Sequence, residues 1–159
     1  MKRHQIEKMP LFRKAMEILD TVHQLEGIVA EENEYLKDVA TFMHAEAMQI
    51  PAKIAGAVGA ELYDLKMENA TIIRKNAMNI YVQCNSFFME DFKETEYLDL
   101  LRREIEEFRI LFAEWVQTFD EWNYVIDRWG LFNPPGVNYD DKDPDEDIPF
   151  NNPFDGLED

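Results

Sequence analysis

Four long stretches of the chain carry apolar residues at steps of three and four, which is the spacing of one face of an α-helix. These stretches span about residues 10–31, 34–58, 60–89 and 95–129. Short polar breaks separate them, of which the run EENE between the first two is an example. Because helices joined by short breaks pack against their neighbours in the chain, the sequence predicts an all-α, up-down-up-down four-helix bundle.

The second stretch contains a proline, Pro51, where a helix would otherwise be regular. A proline inside a helix removes one backbone hydrogen bond and clashes with the preceding turn, at a cost of about 3 kcal/mol. The apolar pattern nevertheless resumes in phase, since Met43, Ile50 and Ile54 are separated by seven and four residues. We therefore predict a proline-kinked second helix that continues to about Val58.

The fourth stretch is predicted to begin at a Thr95 cap and to end near Trp129, with all three tryptophans on it. The chain beyond it is rich in proline and holds nine acids against one base between residues 133 and 159. This composition is typical of an irregular acidic tail without a core of its own. Apolar residues recur in the tail and are predicted to dock on the bundle or on a neighbouring subunit: Leu131, Phe132, Tyr139, Ile148, Phe150 and Phe154.

Three segments follow from these patterns. Residues 1–9 form a basic N-terminal segment, residues 10–130 form the four-helix bundle, and residues 131–159 form the acidic, proline-rich tail. A length of 159 residues suits a single domain. No apolar run approaches the roughly 20 residues that a membrane helix needs, so no membrane partner is expected. A single cysteine allows no internal disulfide, and a cytoplasmic location is predicted.

The chemistry-bearing residues do not form a pattern typical of catalysis. None of the three histidines follows a glutamate by three residues, so the Glu-x-x-His element of a di-iron bundle is missing. The run DDKDPDED resembles the start of a calcium loop but lacks the glycine and the closing glutamate. Cys84 falls on an apolar helix face and is predicted to be a buried, inert thiol. The sequence thus predicts a protein that is not an enzyme and has no cofactor and no metal.

Amide side chains recur along the third stretch, with Asn69, Asn76 and Gln83 spaced by seven and Asn79 alongside. A heptad of amides can specify the register of a helix against its neighbour. The simpler interpretation, which the sequence favours, is a solvated helix face.

The run QIPAKIAGA at residues 49–57 resembles a signature of a known family. The family is that of the four-helix-bundle proteins encoded in 23S ribosomal RNA intervening sequences, which includes accessory proteins of diversity-generating retroelements. Its second helix carries a stretch of the form Ser-Ile-Pro-Ala-Asn-Ile-Ala-Glu-Gly. LFRKAMEIL and IRKNAMNI are similar to stretches of its first and third helices, and the resemblance covers about residues 10–122. The positions that match the signature are Ile50, Pro51, Ala52, Ile54 and Ala55.

The resemblance implies a kinked second helix whose small residues let the first and third helices approach closely. Ala52, Ala55 and Gly56 would then be packing positions. The resemblance also implies a ring of subunits, commonly five. Some family members bind nucleic acid and a reverse transcriptase through a basic surface. Here Lys53, Gly56 and Ala57 replace the asparagine, glutamate and glycine of the signature.

Two function hypotheses follow. The first is a non-enzymatic, homo-oligomeric assembly or adaptor protein that binds a protein partner. The alternative is a nucleic-acid-binding accessory factor, which the formal net charge of −17 disfavours because a negative body repels phosphate. The helical spacing also predicts ion pairs of Arg102 with Glu106 and of Arg103 with Glu107. The candidates for nucleic-acid contact are Lys66, Arg74, Lys75, Arg102, Arg103 and Arg109.

Overall fold

The computed structural model describes residues 1–149, and this part of the chain contains five α-helices and no strand. The all-α class predicted from the sequence is therefore confirmed. The helices are α1 (Arg3–Ile6), α2 (Pro10–Ile28), α3 (Glu34–Gly59), α4 (Tyr63–Met89) and α5 (Thr95–Val116). Of the apolar residues expected in the tail, Phe150 and Phe154 lie outside the described residues.

The four long helices enclose one main apolar core. α2 packs against α3 and α5, and α4 likewise packs against α3 and α5, so each long helix has two neighbours. Each helix contributes side chains that are fully removed from solvent, among them Ile18, Met43, Ile80 and Leu101. The periodic apolar positions of the sequence are thus the positions that meet in the interior.

Helix α3 runs through Pro51 without interruption, as the in-phase apolar pattern predicts. Its first turn is capped by Asn33, whose side-chain oxygen accepts a hydrogen bond from the Leu36 backbone N–H at 3.0 Å. Pro51 itself is buried, and Ile50 and Ile54 on the same face are fully buried. The helix therefore keeps the proline within the apolar stripe that faces the core.

The small residues after Pro51 divide between two environments. A Cβ atom at Gly56 would lie 3.2 Å from the Asn69 side-chain oxygen, so α3 and α4 approach closely at this point. Ala55 is half-buried. Ala52 is exposed, contrary to the packing role expected of it, because it falls on the side of α3 opposite the Ile50 and Ile54 stripe.

The amides of α4 lie against α3. Asn76 is only 5% exposed, and its Nδ2 donates a hydrogen bond to Gln49 Oε1 at 3.0 Å. Asn79 Nδ2 donates to Glu46 Oε1 at 2.9 Å. The interpretation of a solvated face is therefore wrong for Asn76. The physical reason is that Asn76 pairs with a polar side chain of α3, which satisfies its amide donor on burial.

Helix α5 ends at Val116, so the expectation that it continues to Trp129 is wrong. Beyond Val116, side chains form hydrogen bonds with the backbone that compete with the backbone hydrogen bonds of a helix. Thr118 Oγ1 donates to the Trp115 carbonyl at 2.6 Å, and Asp120 Oδ1 accepts from the Trp122 N–H at 2.9 Å. The apolar residues of this segment continued the helical spacing in the sequence, but the polar residues between them decide the local structure.

The start of α5 and the structure of the N-terminal segment also differ from the sequence prediction. Thr95 is the first residue of α5 and Glu94 occupies the capping position, without a side-chain capping bond. The basic N-terminal segment contains the short helix α1, which apolar periodicity did not predict. Its start is held by the Gln5 side-chain oxygen, which accepts a hydrogen bond from the Lys2 backbone N–H at 2.8 Å. Within residues 1–149, no helix has both the length and the apolar character to cross a membrane.

The burial of the α3 stripe leads to a first prediction. Ile54→Ala should lower the free energy of unfolding by about 2–5 kcal/mol, because it removes buried methyl groups and leaves a cavity. Ala52→Ser, two positions away on the exposed side, should change it by no more than about 0.5 kcal/mol. Urea unfolding, followed by circular dichroism at one protein concentration, measures both. Equal losses for the two variants would contradict the assignment of the buried face.

Candidate functional site

An apolar groove with a volume of about 250 Å³ lies between α4 and α5. Met78, Tyr81 and Val82 of α4 line it and remain 50%, 42% and 59% exposed. Ala77 of α4 also lines it, and α5 contributes Ile105, Phe108 and Phe112. Exposed apolar side chains at neighbouring positions of one surface are typical of a binding site for another apolar group.

Arginine side chains flank this groove. Arg74 and Arg109 line it together with Glu106, and Arg109 Nε donates to Glu106 Oε1 at 2.9 Å. This pairing raises the pKa of Arg109 and lowers the pKa of the Glu106 carboxyl. Arg102 stacks on the groove residue Tyr81, with 4.9 Å between the guanidinium carbon and the ring centroid. The groove therefore has an apolar floor and a cationic rim.

The structure brings together three of the six basic residues considered for nucleic-acid contact. Arg74 and Arg109 line the groove and Arg102 stacks on its wall. Lys75 and Arg103 are exposed, on α4 and α5 respectively.

Lys66 has a different role, since its Nζ donates to the Ala57 carbonyl at 2.8 Å and lies 5.5 Å from the Phe119 ring centroid. Burial lowers the pKa of Lys66, and nearby Glu61 partly offsets that effect. Lys66 thus joins the end of α3 to the segment after α5.

The predicted ion pairs of Arg102 with Glu106 and of Arg103 with Glu107 are replaced by others. Glu106 binds Arg109, and Glu107 accepts a hydrogen bond from Lys14 Nζ of α2 at 2.6 Å. Arg102 instead donates to Asn85 Oδ1 at 2.5 Å, and its guanidinium carbon lies 5.0 Å from the Phe88 ring centroid. Contact with two aromatic rings draws Arg102 across to α4 and away from its own helix.

A second exposed feature follows the end of α5. We name residues 127–133 the Asp127 loop, because the carboxylate of Asp127 organises it. This carboxylate accepts backbone hydrogen bonds from Phe132 at 2.7 Å, Leu131 at 2.9 Å and Trp129 at 3.0 Å. The bond from Phe132, with those from Leu131 and Trp129, lowers the pKa of Asp127. Asn133 closes the loop by accepting from the Asp127 N–H at 2.7 Å and donating to its carbonyl at 2.9 Å.

The Asp127 loop presents a tryptophan to solvent. Trp129 is 97% exposed, and Trp122 upstream is 91% exposed. Their expected positions on the core stripe of a helix are therefore wrong. The chain around them is anchored, since Asn123 Nδ2 donates to the Glu61 carbonyl at 3.0 Å and Pro134 is buried. The segment after α5 holds these indole rings in solvent on a fixed backbone.

Few titratable groups are buried. Glu104 of α5 is 8% exposed and accepts the hydroxyl hydrogen of Thr21 of α2, whose Oγ1 lies 2.9 and 3.0 Å from the two carboxyl oxygens. Burial raises the pKa of Glu104, and the hydroxyl of Thr21 partly offsets this. Cys84 is fully buried, as predicted, and burial raises the pKa of its thiol to about 11. Within residues 1–149, no three side chains of His, Cys, Asp or Glu are grouped so as to hold a metal ion.

Sequence reasoning missed both exposed features. Met78, Tyr81 and Val82 are spaced by three and one, so they form a second apolar stripe beside the core stripe of α4. That stripe was the available signal for the groove. The Asp127 loop gave a weaker signal, an aspartate followed by a glycine three residues later and an asparagine six residues later.

The sequence matches no model of a known protein family and no curated protein. The resemblance described above therefore stays a prediction.

The burial of Glu104 leads to a prediction about pH. The folded chain holds the Glu104 proton to a higher pH than the unfolded chain, so stability falls as pH rises through the folded pKa. Glu104→Gln keeps an acceptor for Thr21 and removes the buried charge. Its melting temperature should exceed that of the wild type at pH 7.5, and the difference should shrink toward pH 4.

Glu106→Gln is the matched control for this measurement, because the pKa of Glu106 is lowered instead of raised. It should give no stabilisation at pH 7.5. Thermal unfolding of the three proteins between pH 4 and pH 8 provides the comparison. A Glu104→Gln variant that is less stable than the wild type at pH 7.5 would contradict the sign of this effect.

Proposed function

We propose that the protein is a non-enzymatic, homo-oligomeric helical-bundle protein that acts in assembly or as an adaptor and binds a protein partner. The observation that carries this proposal is the exposed apolar groove between α4 and α5, with Met78, Tyr81 and Val82 in its wall. Methionine, tyrosine, tryptophan and arginine are the residue types enriched where proteins bind proteins. All four types are exposed at the groove and the Asp127 loop.

The size of the groove favours a protein side chain over a small molecule. Its volume of about 250 Å³ is below the roughly 300–1,000 Å³ of pockets that hold drug-sized ligands. The groove is also open, with its wall residues about half exposed, whereas ligand pockets enclose most of the ligand surface. One large side chain of a partner protein suits such a site.

The proposed assembly needs a fold with fixed outer faces. We propose that α2 to α5 alternate in direction as an up-down-up-down bundle, to which α1 is an addition. The connections at residues 29–33, 60–62 and 90–94 support this, since short connections join antiparallel neighbours. We further propose a bend of α3 at Pro51, where the missing N–H and the ring contact are a known cause of kinks.

The resemblance to the family of 23S ribosomal RNA intervening sequences supports the oligomeric part of this proposal. Proteins of that family assemble as rings, commonly of five subunits. The cytoplasmic location inferred from the single cysteine is compatible with that family.

Light scattering coupled to gel filtration tests the homo-oligomer. At micromolar concentration the mass should be at least twice the 18.8 kDa of one chain. The apolar groove and the exposed tryptophans supply the area for this association. A mass of one chain at every concentration up to the solubility limit would contradict the proposal.

The alternative function, a nucleic-acid-binding accessory factor, has one specific observation in its favour. Arg74, Arg102 and Arg109 lie on the same α4/α5 surface, and arginines beside exposed aromatic rings suit stacked bases. Two features weigh against it. Arg109 is already paired with Glu106, and the whole chain has a formal net charge of −17.

Fluorescence anisotropy with labelled single-stranded RNA and duplex DNA separates the two functions. We expect no saturable binding at about 50 mM salt, where phosphate contacts are strongest. Binding that weakens steeply toward about 200 mM salt and is reduced in Arg74→Ala would establish the alternative instead. Lys53→Ala, on α3, is the matched control for loss of one positive charge at another surface.

A further inference from the structure

The exposed tryptophan of the Asp127 loop and the α4/α5 groove are complementary features of one chain. We propose that Trp129 of one copy inserts into the α4/α5 groove of a second copy, in a head-to-tail contact. This inference rests on the proposed homo-oligomer, and it names the two surfaces that form its interface. Such a contact requires a projecting group and a matching recess on different parts of the molecule.

The projecting group is prepared for binding before any partner arrives. Trp129 is 97% exposed, although a tryptophan is among the most costly side chains to leave in water. The Asp127 carboxylate accepts the backbone N–H of Trp129 itself at 3.0 Å, so the residue that carries the indole ring is fixed. Arg128 adds a second restraint, because its guanidinium donates to the carbonyls of Tyr139 at 3.0 Å and Asp141 at 2.6 Å. A fixed backbone loses little conformational freedom on binding.

The recess suits one aromatic side chain. The groove holds about 250 Å³ and is bounded on α4 by a thioether, an aromatic ring and a branched aliphatic chain, from Met78, Tyr81 and Val82. Thioether and aromatic groups make favourable contacts with a second aromatic ring. Arg74 and Arg109 at the rim can reach the face of an indole ring, which is the strongest aromatic partner of a guanidinium.

The two surfaces are also complementary in charge. Residues 117–149 contain nine acids (Asp120, Glu121, Asp127, Asp140, Asp141, Asp143, Asp145, Glu146 and Asp147) and two bases, Arg128 and Lys142, a net of −7. The groove and its wall carry three arginines, at positions 74, 102 and 109, and one acid, Glu106. An acidic segment that approaches an arginine rim is attracted, whereas the same segment is repelled by most of this acidic protein.

Trp129 does not fill the groove of its own chain, since its side chain is 97% exposed. It lies beside Asp64 and Glu68 near the start of α4. Met78 of the groove is ten residues beyond Glu68 on that helix, which is about 15 Å at 1.5 Å per residue. The hydrogen bonds of Asp127 and Asn133 hold the loop at its place. The groove that receives Trp129 must therefore belong to another copy, and repetition of this contact gives a closed ring or an open filament.

Complementary variants test this contact. Trp129→Ser removes the projecting side chain, and Val82→Glu places a negative charge in the apolar groove, where it opposes the acidic segment 117–149. Both positions are exposed, so neither change disturbs the core. By light scattering, each variant alone should have the mass of one chain. An equimolar mixture should have the mass of two chains, because one intact loop and one intact groove remain.

Phe42→Ser is the matched control, since Phe42 is an aromatic residue of α3 that is 66% exposed and distant in sequence from both surfaces. It should keep the mass of the wild type. Circular dichroism should show equal helix content for all variants. Dissociation of Phe42→Ser to the same extent would show that the loss is not specific to the two surfaces, and would overturn the proposal.

Three further outcomes distinguish this inference from the proposed function. A wild type with the mass of one chain rejects the homo-oligomer itself. A homo-oligomer that persists in Trp129→Ser rejects only the contact described here. A homo-oligomer that is lost on deletion of residues 150–159, but kept in Trp129→Ser, makes that C-terminal segment necessary for assembly and also rejects the contact.

Discussion

The pairing of α3 with α4 is the interaction on which the rest of the structure depends. The two helices approach closely at Gly56 and Asn69, where a side chain on Gly56 would press on the amide. Farther along, Asn76 binds Gln49 and Asn79 binds Glu46. An apolar interface alone tolerates sliding, whereas paired amides are satisfied only in one register. These contacts therefore decide which residues of α4 face α3 and which face outward.

The orientation of α4 determines where apolar surface remains exposed. Ile73, Ala77 and Ile80 turn into the core, and the neighbouring stripe of Met78, Tyr81 and Val82 is left at the outer edge beside α5. Arg102 does not cover this stripe completely, since Tyr81 remains 42% exposed beneath its guanidinium. The groove is thus a consequence of the register of α3 and α4, together with the size of the side chains on α5.

The sequence predicts the helical class and the course of α3 through Pro51, because apolar periodicity reports directly on burial. It does not predict the end of α5. Residues Phe119, Trp122 and Trp129 continue the apolar spacing, yet only Phe119 is buried. The side chains of Thr118 and Asp120 bind nearby backbone groups, and that of Asn123 binds the Glu61 carbonyl just before α4. Apolar periodicity does not report such hydrogen bonds.

The candidate site, like the fold, is predicted only in part by the sequence. The sequence indicates its basic residues as candidates for nucleic-acid contact, and the structure brings together Arg74, Arg102 and Arg109 but not Lys66, which binds Ala57 and Phe119. The spacing along α5 predicts Glu106 as the partner of Arg102. In the structure, Arg102 instead contacts Asn85, Tyr81 and Phe88 of α4. A single sequence contains the residues of such contacts but not the distance between the helices that carry them.

The early end of α5 connects the fold to the proposed assembly. Had the helix continued to residue 129, its last apolar residues would have extended the core stripe and no tryptophan would project. Instead the chain leaves the helix at Val116 and binds the start of α4 through the hydrogen bond from the Tyr63 N–H to the Asn123 carbonyl, at 2.9 Å. It then closes the Asp127 loop with Trp129 in solvent. Local hydrogen bonds thereby leave apolar residues that fit a helix pattern exposed at the surface. In the proposed assembly, the acidic composition of this segment favours contact with a surface that has a positively charged rim.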